Sequence, residues 1–171
     1  RALDLGIAET VIEELKIKTP TGTANLLAFP VFMYDHLLDI RKYDPGQKPK
    51  VKSRANCPAG LIVPFDLWRN TPEDRVTLIC AGEKDMAIAR SYGFNAITFT
   101  SGEGTLPKIW KCFQNRKIAI VYDNDGPGIQ GAKKLALNLL KTIKTSIKLH
   151  SLFFSYLYIL FKKLKFKSLE T

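Results

Sequence analysis

The chain is short of the side chains that most often carry nucleophilic or thiolate chemistry. Among 171 residues there are two histidines and three cysteines. Cys57, Cys80 and Cys112 are scattered and form no C-x-x-C pair, which argues against a zinc site and against a disulfide framework. Cys80 lies in an apolar run and reads as a small core residue. This cysteine usage suits a reducing compartment, so a cytoplasmic location is expected. His36 and His150 point to no specific chemistry. No G-K-[ST] follows a glycine-rich run, which excludes a phosphate-binding loop of the NTPase type. The start shows no signal-peptide pattern, and the chain opens on Arg1 rather than Met, as an excised piece of a longer protein would. The longest apolar-rich run, Leu149 to Phe161, is interrupted by His150, Ser151 and Ser155. It is too short to span a bilayer comfortably, so no stable membrane insertion is expected.

Acids are also scarce. Sixteen face twenty-six lysines and arginines, for a formal charge of +10. From Lys141 onward, seven lysines stand against Glu170 alone, a net of six. The rest of the chain is only mildly basic, and bulk charge is weak support for a nucleic-acid partner. Hydrophobic content of 46% and charged content of 25% are ordinary for a globular protein. The length allows one sizeable domain or two small ones.

What is present is a change of rhythm. Ala2 to Ile17 carries apolar residues at helical spacing and predicts a helix. Asn25–Met33 and Leu37–Tyr43 predict two strands around a turn at Tyr34-Asp35. The turn signal Asp44-Pro45-Gly46-Gln47 follows, then a basic stretch with Lys48, Lys50, Lys52 and Arg54. Leu61 to Trp68 is apolar, with Phe65 and Trp68 read as core residues. From Arg75 onward, short apolar runs alternate with helical segments. Val76–Ala81, Ala96–Thr100 and Lys117–Tyr122 read as strands. Lys84–Tyr92, Thr105–Phe113 and Gly128–Ile143 read as helices, the first capped by Gly93. Such alternation implies right-handed crossovers and a parallel sheet. Ser146–Phe154 is a candidate fourth strand. Ser101–Thr105 reads as a flexible loop near the candidate site.

Ligands of parallel sheets bind outside the carboxyl ends of the strands. Both acidic clusters fall there: Glu83 with Asp85, and Asp123 with Asp125. Asp123 and Asp125 are spaced i, i+2, so on an extended chain they share a face. If the two strands are neighbours, four carboxylates converge, repel and call for a hard divalent cation such as Mg2+ or Mn2+. That predicts metal-assisted phosphoryl chemistry. An EF-hand starting at Asp123 is excluded, because its twelfth position holds Lys134 instead of Glu. A haloacid-dehalogenase-type phosphatase is disfavoured by Pro127, two places after the second Asp, and by the short chain that follows.

Together, Gly82-Glu83-Lys84-Asp85, Gly93 and Asp123-x-Asp125-x-x-Gly128 resemble the Toprim domain of primases, topoisomerases and some nucleases. Upstream, Ala28-Phe29-Pro30-Val31, Asp39-Ile40-Arg41-Lys42, the basic run to Arg54 and Gly60 to Trp68 are similar to primases of the phage and mitochondrial primase-helicase type. The resemblance covers about Gly6 to Leu140. It implies an α/β fold: a Toprim-like parallel sheet flanked by helices over 73–150, preceded by a small basic α+β domain over 1–72. An atypical Lys- and aromatic-rich tail, 151–171, follows; it reads as an aberrant terminus, the alternative being an amphipathic lipid- or partner-binding helix.

The resemblance further implies synthesis of short RNA primers on single-stranded DNA from NTPs, with Mg2+ or Mn2+ as cofactor and a replicative helicase as a possible partner. Glu83, Asp123 and Asp125 would be catalytic. Glu83, Asp85, Asp123 and Asp125 would hold metal, and Arg41, Lys42, Lys50, Lys52 and Arg54 would contact phosphates. One position departs from the pattern. Many members have Glu before the first glycine, where this chain has Ala81. Glu83 lies two residues further on, which on an extended chain returns it to the same face. The alternatives are a Toprim metal-dependent nuclease and a catalytically impaired Toprim module that binds nucleic acid.

Overall fold

A computed structural model describes residues 2–21 and 26–146. It contains two sheets. In the first, β1 (Leu27–Met33) and β2 (His36–Tyr43) form an antiparallel hairpin, and β3 (Val51–Lys52) adds to the far side of β2. The hairpin turns on Tyr34 and Asp35, both at positive φ (53° and 62°). Two left-handed residues match the twist of antiparallel strands. The Asp66 carboxylate accepts the N–H groups of Tyr34 and Asp35 at 2.8 and 3.0 Å, which offsets the strain of this turn. Pro30 is tolerated because β1 lies at the edge of its sheet.

The second sheet has the order β4-β6-β5-β7, from β4 (Ile62–Val63), β5 (Thr77–Cys80), β6 (Asn95–Phe99) and β7 (Ile118–Val121). β6, β5 and β7 are parallel, and β4 runs antiparallel to β6. Every residue of β6 is buried, as expected of a strand covered on both faces. Around the sheets lie α1 (Glu9–Glu14), α2 (Phe65–Arg69), α3 (Glu83–Ser91) and α4 (Gly126–Ser146). α1, β1 and α3 contribute to one apolar core. A second core gathers α2, β6, β7 and α4 around Trp68, which is completely buried. The Trp68 indole N–H donates to Thr77 Oγ1 at 3.0 Å, and Asn95 Nδ2 donates to the same oxygen. Burial of a side chain this large is worth roughly 2–3 kcal/mol, and its one polar atom is satisfied.

The alternation of strand and helix after Arg75 predicts this mixed α/β architecture, and the structure has it. Three local expectations differ. The first helix is split: Leu3–Leu5 is a 3-10 turn that ends on Gly6 at φ +77°, and α1 starts afresh at Glu9. The helix expected over Thr105–Phe113 is reduced to a 3-10 turn at Lys111–Phe113. Pro107 offers no N–H to a helix, and the Lys108 N–H goes instead to the Gly60 carbonyl at 3.2 Å. The segment packs so tightly there that a Cβ on Gly60 would meet the Leu106 carbonyl oxygen at 2.4 Å. Finally, α4 runs to Ser146. The rest of the candidate strand at 146–154, and the tail at 151–171, lie outside the described residues. Among the described residues the fourth strand is β4, drawn from the apolar segment before Trp68.

Candidate functional site

β5 and β7 are adjacent and in register from Thr77↔Ile118 to Cys80↔Val121. The loops that leave their carboxyl ends therefore start side by side. From β5 the chain passes through Ala81 and Gly82 into α3, with Asp85 in its first turn. From β7 it passes through Tyr122 and the exposed Asp123, Asn124 and Asp125 into α4. Asp125 caps that helix. Its Oδ1 accepts the Gly128 N–H at 2.8 Å, and its carbonyl accepts the Ile129 N–H at 2.9 Å. Gly128 is required here because a Cβ would lie 2.2 Å from the Asp123 carbonyl oxygen. The turn that presents the two aspartates is thus folded back hard on the helix start.

A fourth acid joins this edge from a third loop, the one after β6. Glu103 Oε1 accepts the backbone N–H of Asp123 at 2.8 Å. Burial raises the Glu103 pKa, the Asp123 N–H opposes that, and the charges of Asp123, Asp125 and Asp85 raise it further. Acids of three separate loops thus lie near one another, and the Lys84 ammonium stands 3.6 Å from Asp85 Oδ1. Nothing in the composition of Ser101–Thr105 marks Glu103. The available signal is position: it follows a parallel strand at the carboxyl end, as the other acids do.

Glu83 and Arg41 sit elsewhere than expected. Glu83 is the first residue of α3, so the chain is already helical and Glu83 and Asp85 diverge by about 200° around the axis. Glu83 is 3% exposed and accepts from Arg41 Nε at 2.7 Å. Arg41 is itself buried and also donates to Ser53 Oγ. Both side chains are thus paired with each other, at positions where the resemblance implies a metal ligand and a phosphate contact. Asp39, two residues before Arg41 on the same inward face of β2, is fully buried. Its Oδ1 accepts the N–H groups of Ile40 and Arg54 at 2.7 and 3.0 Å. Burial would raise the Asp39 pKa. The Arg54 N–H leads a set of hydrogen bonds from Cys57, Ser53 and Ile40 that outweighs burial and holds it below 3.8.

The remaining cations stay on the surface. Lys42, Lys50, Lys52 and Arg54 are exposed. Lys42 and Lys52 stand directly opposite each other across β2 and β3, a like-charged pair that weakens the sheet. Cys57 and Cys112, both partly buried, favour the protonated thiol. The Cys112 thiol is pushed up to about 11 by burial, and the Cys57 thiol is raised, first by its hydrogen bond with Asp39.

The donors at the acid edge are all carboxylates, the type that suits a hard divalent cation, and the Gly128 cradle keeps the main chain close behind them. As the side chains stand, no three His, Cys, Asp or Glu residues among the described residues are gathered tightly enough to hold an ion. No helix among the described residues is long and apolar enough to cross a membrane.

No family profile and no curated relative matches the sequence. Solved structures share its fold. The chain is similar to the primase fragment of the bacteriophage T7 primase-helicase protein, with a TM-score of 0.65 and 12% identity over 80% of this chain and 59% of that one. It is similar to the Aquifex aeolicus primase (zinc-binding and RNA polymerase domains), with a TM-score of 0.63 and 15% identity over 83% of this chain and 46% of that one. The primase domains in a complex with the bacteriophage T7 lagging-strand DNA polymerase give 0.57 and 13% over 78% and 71%. This chain therefore spans about half the length of the first two. At such identities the likeness is one of fold, and on that basis the chain folds as a primase-type domain.

Proposed function

We propose that the chain is the catalytic core of a DNA primase, making short RNA primers from NTPs on single-stranded DNA. The observation that carries this reading is the acid edge: Asp85, Asp123 and Asp125 leave the carboxyl ends of adjacent parallel strands, in a fold shared with primase domains. Asp85, Asp123 and Asp125 would hold Mg2+ or Mn2+. When bound, the cation neutralises phosphate charge and favours attack by a 3′-hydroxyl. The chain's own part is placement. Asp123 is exposed and can turn toward a ligand, Asp125 can offer the carboxylate oxygen its cap leaves over, and Gly128 with that cap keeps the backbone in place. Lys42, Lys50, Lys52 and Arg54 would hold template or nucleotide phosphates, and an anion between Lys42 and Lys52 would relieve their repulsion. Arg41 and Glu83 would support the site from beneath. A replicative helicase is the partner this reading implies, since the T7 relative is a primase-helicase.

Primer synthesis is the direct test. With single-stranded DNA, NTPs and Mg2+, labelled oligoribonucleotides should form, and should vanish in Asp123→Ala and Asp125→Ala while the fold is retained. DNA cleavage without NTPs would replace the reading with a nuclease. One observation favours a second reading, a nucleic-acid-binding module without catalysis. Ala81 carries no acid, and Glu83 is locked to Arg41. DNA binding without primer synthesis or Mn2+ binding would establish that alternative.

A further inference from the structure

Strand order puts a constraint on Glu103. In the sequence β6-β5-β7, the loop after β6 and the loop after β7 are separated by β5, a span of about 10 Å. Yet Glu103 Oε1 bonds the Asp123 N–H at 2.8 Å. The bond therefore crosses the carboxyl end of β5, where Ala81 and Gly82 leave the strand. The loop is fixed to make that crossing. It leaves β6 through Ser101 and Gly102, both at φ +75°. It then presses on α4 so closely that a Cβ on Gly131 would lie 2.5 Å from the Glu103 carbonyl oxygen. Lys134 Nζ clasps the next carbonyl, that of Gly104, at 3.0 Å.

We infer that Glu103 is the positioning residue of the acid edge: its carboxylate ties the β6 loop to the backbone of Asp123, across the end of β5, and so sets the direction in which Asp123 and Asp125 are presented. This rests on the nucleotidyl-transfer reading for its purpose, while the tie itself is a matter of geometry. An acid is well suited to the task. A carboxylate accepting a backbone N–H forms a charge-assisted bond, roughly twice as strong as a neutral one. It also adds negative charge beside the two aspartates without standing in their place.

Two measurements on the whole chain test it. The first is amide hydrogen exchange at Asp123. Glu103→Ala should speed it by about tenfold or more, the loss of one charge-assisted bond. Glu103→Gln, whose side-chain carbonyl still accepts, should remain close to wild type. Gly131→Ala should also speed it, with the carboxylate still present, by pushing the loop away; this guards against the case in which Glu103→Ala does not fold. An Asp123 amide that exchanges at the wild-type rate in Glu103→Ala and in Gly131→Ala overturns the inference. The second is calorimetric titration with Mn2+ alone. Affinity should fall severalfold in Glu103→Ala, and an unchanged affinity also overturns the inference. If the wild-type chain takes up no Mn2+, the metal-dependent reading fails, and the exchange data alone then uphold or overturn the tie.

Discussion

Two acid-bearing regions lie within a few residues of each other and are built on opposite principles. Beneath α3, Glu83, Arg41 and Asp39 are buried and each is held by named partners. At the strand ends, Asp123 and Asp125 are exposed and lie with Glu103 among like charges, while the Lys84 ammonium stands 3.6 Å from Asp85 Oδ1. In the first region opposite charges pair out of water, where removing one partner strands the other. In the second, like charges are left facing one another, an arrangement that a bound cation would relieve. Glu83 and Asp85 are separated by one residue and belong to different regions. Acid content alone therefore does not mark a ligand site.

The contrast can be broken most forcefully at Arg41. Arg41→Ala leaves Glu83 charged and unpaired in the interior, and should lower unfolding free energy by about 3–5 kcal/mol in urea denaturation. Arg41→Met combined with Glu83→Leu should recover most of that loss, because an apolar pair of similar volume removes the stranded charge. A single Arg41→Ala variant as stable as wild type would show that the buried region is not held by its ion pair.

Acid titration sharpens the same comparison. Asp39 has a folded pKa below its ordinary 3.8. Its contribution is thus present above that value and is lost as pH falls through 3.8 toward the folded pKa. Asp39→Asn should be less stable than wild type at neutral pH, and the gap should narrow below about pH 4. A gap that stays constant down to pH 2 would contradict the hydrogen-bond set assigned to Asp39.

Smaller effects are expected at the exposed sites. Lys42→Glu turns the like-charged pair with Lys52 into an opposite-charged one, and should stabilise the sheet by roughly 0.2–1 kcal/mol. It should also weaken DNA binding and flatten its salt dependence. Asp123→Asn should change stability by no more than about 0.5 kcal/mol, while abolishing primer synthesis. A large stability loss in that variant would make Asp123 a structural residue and erase the difference between the two regions.

Several of these features could be read directly from residues. β5, β6 and β7 are short apolar runs, and Gly93, at φ +80°, ends its helix as its position suggests. The adjacency of the Asp85 and Asp123 loops follows from strand order, which the alternating rhythm left open. A chain extended from Ala81 onward would bring Glu83 back to the face of position 81. Gly82 is the last extended residue, and α3 begins at Glu83, so a two-residue spacing there separates side chains instead of aligning them. The Arg41–Glu83 pair joins residues 42 positions apart, a meeting that no local pattern encodes. The same holds for Glu103, whose partner lies beyond an intervening strand. The missing helix near Thr105 reflects competition as well, since Lys108 finds its acceptor at Gly60, far away in sequence.

The pairing of β4 with β6 bears on the order in which the molecule can form. Ile62 waits for Phe99, and Arg41 waits for Glu83. As the chain leaves the ribosome, the hairpin of β1 and β2 can close early, because its partners are adjacent in sequence. Its inner face still carries Asp39 and Arg41, whose burial depends in part on residues not yet synthesised. Until α3 arrives, that hairpin has polar residues where a stable core would be apolar. The buried ion pair then joins the early-forming and late-forming parts of the chain, and folding of the first sheet is tied to completion of the second.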